Sequence, residues 1–149
     1  MATILLVNDE KILRTIMGVA LKRQNHEVIE AGGVRRALSA AARHGGKVDL
    51  LISELSLPRM SALDLRHELR KDHPDMAALF VSRNPHPPRL EETVRAGGGT
   101  VLREPFEMTT LLGEVARLLD LPDAARIPPA SSKSSKKQTR AAANGQIPD

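Results

Sequence analysis

The chain has 149 residues, a formal net charge of +4, two Phe and no Trp, Tyr or Cys. A length in the range of roughly 100–150 residues suits one domain, and the absent cysteines exclude disulfide scaffolds, thiolate metal sites and cysteine nucleophiles. With so few rings the core must be aliphatic, and nucleic-acid modules that stack bases on aromatic side chains are disfavoured.

The predicted elements alternate between two periods. Residues 3–7 form a short apolar run of strand length, closed by Asn8, Asp9 and Glu10; it is too short for a signal peptide or a membrane span. Leu13, Ile16, Met17, Ala20 and Leu21 recur at helical spacing. Residues 26–30 are a second, more polar strand near an edge, and Val34, Leu38, Ala41 and Ala42 mark a helix ended by Gly45-Gly46. Residues 48–53 are a third strand, apolar except at Asp49.

Ser61 has the character of a helix N-cap, with Asp64 three residues on and Leu63, Leu65 and Leu69 following until Pro74. Residues 77–81 are a fourth strand, residues 88–96 a short helix, residues 100–102 a fifth strand and residues 108–119 the last helix. Gly97-Gly98-Gly99 leaves a helix and enters a strand, so it stops a helix and does not cradle a phosphate. The five His, at positions 26, 44, 67, 73 and 86, have no metal spacing and read as surface residues. Pro85, Pro87 and Pro88 stiffen the loop after the fourth strand.

Residues 121–149 differ in kind from the rest. They are rich in Ser and Lys, with little to bury, and are expected to be a disordered tail behind a domain of residues 1–120. From Asp120 onward there are five basic and three acidic residues, against 17 and 15 before it. The basic balance is thus shared with a short tail and argues only weakly for nucleic acid.

Five strands alternating with five helices predict an α/β fold: a doubly wound parallel sheet, flavodoxin-like, of (βα)5 type with strand order 2-1-3-4-5. In such sheets the site lies beyond the carboxyl ends of the strands. Those ends carry Asn8-Asp9-Glu10, Ser53-Glu54 followed by Leu55-Ser56-Leu57-Pro58, Ser82-Arg83, and Arg103-Glu104-Pro105-Phe106.

These four motifs, in order and in register over about residues 2–120, resemble the receiver domain of two-component response regulators. The resemblance implies phosphoryl transfer from a kinase histidine to an Asp that ends the third strand. An acidic pair after the first strand would help hold Mg²⁺, while a hydroxyl after the fourth strand and a Lys after the fifth would bind the phosphoryl oxygens. The carry-over is partial. Asp9 keeps one acidic position and Asn8 replaces the other; Ser82 keeps the hydroxyl. Glu54 stands at the acceptor position, Glu104 replaces the Lys ahead of a cis-type Pro105, and Val101 occupies the aromatic switch position.

Glu is a methylene longer than Asp, which misplaces its carboxylate for in-line attack by about 1 Å or more. Glu104 removes the cation that would neutralise developing charge, and brings a second carboxylate toward Glu54. Arg59 or Arg83 is expected to pair with one of them. The cofactor expectation is none, or weakly bound Mg²⁺ on Asp9, Glu54 and Ser56.

The functional expectation is a degenerate, stand-alone, cytoplasmic receiver. It would act as a protein-interaction module in phosphorelay signalling, without phosphorylation and without enzymatic activity. Its partner would be a histidine kinase, a phosphotransfer protein or an output protein, or a second copy meeting it through the last-helix region, with no membrane partner. Two other classes stay open: a receiver still accepting phosphate at a non-standard site, and a nucleic-acid-associated protein working through its basic tail.

Overall fold

The structure is a computed structural model that describes residues 1–57, 60–83 and 88–120. Arg59, Pro85, Pro87 and the Ser/Lys-rich segment of residues 121–149 lie outside the described residues. The elements are β1 (Thr3–Val7), α1 (Lys11–Arg23), β2 (Glu27–Ala31), α2 (Val34–His44), β3 (Leu50–Glu54), α3 (Ala62–Arg70), β4 (Ala77–Ser82), α4 (Pro88–Ala96), β5 (Gly99–Arg103) and α5 (Met108–Asp120). All strand pairs are parallel, in the order β2-β1-β3-β4-β5.

β1, β3 and β4 are buried along their whole length. This explains their unbroken apolar runs, since a parallel sheet is covered on both faces. Alternate side chains feed two cores. Leu5, Val7, Leu51, Ala78 and Phe80 pack with Ala37 and Ala41 of α2, Leu65 and Leu69 of α3, and Val94 of α4. Ile4, Leu6, Leu50, Ile52, Leu79 and Val81 pack with Met17 and Leu21 of α1 and with Leu111, Val115 and Leu118 of α5.

Local signals set the helix ends. The Ser61 hydroxyl accepts from the Asp64 N–H at 3.1 Å, capping α3. Gly45 ends α2 in the left-handed region at φ 72°. At the glycine run only Gly98 has positive φ, at 86°. Gly97 and Gly99 serve another purpose, because a Cβ on either would strike the Arg66 guanidinium. Arg66 is 8% exposed, donates to the Val94 carbonyl at 3.1 Å and lies 5.6 Å from the Phe80 ring centroid. Arg70 donates to the Gly97 carbonyl at 2.8 Å and to that of Met76. Two arginines of α3 therefore satisfy the carboxyl end of α4, where the helix dipole favours cations.

The structure corrects some expectations. α1 buries Met17, Gly18 and Leu21, while Ile16 is half exposed, because the sheet covers a narrower stripe than the apolar pattern suggests. His26 and His73 are not plain surface residues. Their Nδ1 atoms accept from the backbone N–H groups of Ala2 and Val48, and burial lowers the pKa of His26, in keeping with a neutral acceptor. No helix among the described residues is long and apolar enough to cross a membrane.

Candidate functional site

Parallel registers bring the strand ends together. Val7 sits beside Ser53, Glu54 beside Val81, and Ser82 beside Arg103. Bonds from Leu55 N–H to the Val81 carbonyl and from Glu104 N–H to the Ser82 carbonyl, both 2.8 Å, carry the pairing one residue further. Asn8, Glu54, Ser82, Arg83 and Glu104 thus meet at the carboxyl edge of the sheet.

Asn8 is buried. Its Oδ1 accepts from the Glu10 N–H at 2.8 Å, its carbonyl accepts from Arg14 Nη1 at 2.7 Å, and its Nδ2 has no hydrogen-bond partner. Glu54 is the last residue of β3, with a side chain only 3% exposed. Its Oε2 accepts from Arg83 Nε, and its Oε1 is buried without a hydrogen-bond partner. The same guanidinium reaches Asp9 Oδ1 at 3.1 Å through Nη2 and Glu10 Oε1 at 3.4 Å through Nη1. One arginine therefore spans three carboxylates, using all three of its nitrogens.

Glu104 forms a cis peptide with Pro105 and holds a buried Oε2 without a hydrogen-bond partner. Ser82 is buried at the end of β4, Ser56 is exposed after β3, and Val101 is buried in the core that holds Phe80 and Val94. Glu10 enters the site as a charge partner of Arg83 that the sequence analysis did not single out; its only signal was its place beside Asp9.

Burial pushes the Glu54 carboxyl above the ordinary value; the Arg83 hydrogen bond opposes this and the neighbouring Asp9 carboxyl adds to it. Glu104 is also raised, first by burial and then by Glu10, with Arg83 opposing. The acid pressing on Glu54 is thus Asp9. Arg83 itself is raised, chiefly by its bond to Glu54.

Asp9, Glu54 and Ser56 do not fit a hard divalent cation as they stand. Such an ion needs near-octahedral oxygen ligands at about 2.0–2.1 Å, whereas a guanidinium already lies on the carboxylates. Among the described residues no three His, Cys, Asp or Glu are grouped to hold a metal ion. Among the described residues a cleft of about 640 Å³ opens at the opposite edge of the sheet between α2 and α3; it is lined by Leu38, Lys47, Leu69, His73 and Met76 among others, and by none of the candidate residues.

A doubly wound sheet in this strand order, with an acidic pocket at its carboxyl edge, defines a receiver-like signalling module. The family model of the response regulator receiver domain matches residues 4–116, and the chain belongs to that family. It is 33% identical over 122 residues to sensor kinase CckA of Brucella abortus, covering 82% of this chain and 13% of that protein. It is 28% identical to the probable transcriptional regulatory protein TcrX of Mycobacterium tuberculosis, covering 78% and 49%. The chain spans less than half the length of either relative. The crystal structure of the receiver domain from hybrid histidine kinase CckA superposes with a TM-score of 0.67 at 27% identity, over 80% of this chain and all of that one. A response regulator receiver protein from Sinorhizobium medicae, at 21% identity and a TM-score of 0.70 over 80% and 94%, shares the fold. Receiver domains serve two-component signalling by interacting with histidine kinases and output domains.

Proposed function

We propose that this receiver is a degenerate one: a protein-interaction module of a two-component phosphorelay that does not take up a phosphoryl group. The observation that carries the reading is Glu54 itself, buried at the acceptor position with Arg83 on one oxygen. An acceptor must offer a lone pair in line with the incoming phosphorus, beside cations that neutralise the developing charge. Here the side chain is a methylene too long, its outer oxygen is held by a guanidinium, and Glu104 supplies negative charge where the family pattern has a Lys.

Output then rests on docking. The proposed surface is α5 with its neighbours β5 and α4, and the partner a kinase, a phosphotransfer protein or an output protein. Val101 supports a fixed state of that surface: a buried valine has no ring to swing between two positions. The test is incubation with acetyl phosphate and Mg²⁺, read by intact-mass spectrometry. The expected spectrum is unchanged for the natural chain; a phosphoryl adduct mapped to Glu54 or its neighbours overturns the reading.

A further inference from the structure

We infer that Arg83 is the resident cation of this pocket, a tethered guanidinium standing where a receiver would hold a divalent metal, so that the acidic cluster is held together without one. The inference deepens the degenerate reading of the same site and rests on it for the family comparison alone; its geometry stands independently.

Three observations carry it. First, each arm of the guanidinium meets a different carboxylate: Nε on Glu54, Nη2 on Asp9 at 3.1 Å and Nη1 on Glu10 at 3.4 Å. A planar fork spreads its acceptors along its edge, whereas a small ion draws them onto one point. With the guanidinium on them, no three of these carboxylates are grouped for a metal.

Second, Asn8 presents the wrong group. The Glu10 N–H can only donate, so the 2.8 Å contact fixes Oδ1 toward it. The amide nitrogen, buried and without a hydrogen-bond partner, is then the end left for the interior. An N–H group repels a cation where a carboxylate would bind one. Third, Arg83 directly follows β4, whose last residue pairs with β5. The guanidinium is thus delivered by the sheet and cannot be removed by a chelator.

Removing the guanidinium frees Asp9, Glu10 and Glu54 to gather around a divalent ion. The probe is Mn²⁺, followed by water-proton relaxation and by paramagnetic broadening of backbone amides in the full chain at fixed ionic strength. The natural chain is expected to show no saturable site at millimolar Mn²⁺ and the same melting temperature in Mg²⁺ as in chelator. Arg83→Ala is expected to bind Mn²⁺ about tenfold more tightly or better, since one nearby positive charge is gone. Its melting temperature should rise with Mg²⁺, and Arg83→Ala combined with Glu54→Gln should lose the gain.

Saturable broadening centred on Asp9 and Glu54 in the natural chain overturns the inference. So does an Arg83→Ala protein that binds no better than the natural one. Should Arg83→Ala fail to fold, the first measurement decides alone. Phosphoryl uptake from acetyl phosphate would overturn the proposed function while leaving this cation assignment standing, so the two fail separately.

Discussion

Gly99→Ala is expected to destabilise the domain far more than its single methyl suggests. Gly99 opens β5, and its φ lies outside the left-handed region, so the backbone accepts alanine. The obstacle is space. The new Cβ would lie 2.8 Å from Val94 Cγ1, 3.0 Å from Arg66 Nη1 and 3.1 Å from the Val94 carbonyl oxygen. These atoms form one unit, since Arg66 Nη1 donates to that carbonyl. Val94 is fully buried on a short, branched side chain and has nowhere to go. The Val94 contact can be relieved only by a shift of β5 or α4, and the guanidinium, itself buried, must give way as well. Overpacking costs about 1–3 kcal/mol, and loss of a buried hydrogen bond to a charged group about 1.5–3 kcal/mol. Together they amount to about 2.5–6 kcal/mol, a large part of the roughly 5–15 kcal/mol that holds a domain folded. With a urea slope of about 2 kcal/mol/M, the midpoint should fall by about 2 M. The assay is urea unfolding of Gly99→Ala, Val94→Ala and the double variant. Truncating Val94 removes the nearest clash, so the cost of Gly99→Ala should shrink by about 1 kcal/mol or more in that background. A midpoint shift under about 0.5 M, or strict additivity, would refute the reasoning.

The other expectations concern charge and capping. The folded-state pKa of Glu54 lies above its ordinary value of 4.5, so its contribution to stability is fully present below that value and is lost as pH rises through the folded value. Glu54→Gln, which does not titrate, should therefore gain on the natural chain from about pH 4.5 toward neutrality; a difference in urea midpoints that stays flat over this window would contradict the burial argument. Ser61→Ala removes the oxygen that accepts from the Asp64 N–H and should cost about 1 kcal/mol, with amide exchange rising in the first turn of α3 and not in α5.

The fold was legible because its signals are local and repeated. Apolar runs of strand length alternate with helical spacing, and Ser61, Gly45 and the glycine run mark ends that the backbone itself requires. Boundaries moved by a residue or two, as at β2, where the pattern spans residues 26–30 and the strand is Glu27–Ala31. α1 shows the limit of periodicity: Ile16 shares the helical spacing of Met17 and Leu21, yet it is half exposed while they are buried. Which stripe of a helix meets the sheet depends on how the helix is docked, and no local residue encodes that.

Which residue types stand at the strand ends could be read along the chain: Asn8, Asp9, Glu54, Ser82 and Glu104 each fall at or just after the end of a strand. Their assembly could not. Arg83 joins Asp9, Glu10 and Glu54 only because β1, β3 and β4 end in one register, and Arg66 meets Gly97 and Gly99 only because α3 and α4 share one core on the same face of the sheet. Periodicity and capping act over a few residues, so the chain alone determines where its strands, helices and turns lie. Long-range charge pairing and close approach act through space, so only the tertiary structure decides which acid faces which cation.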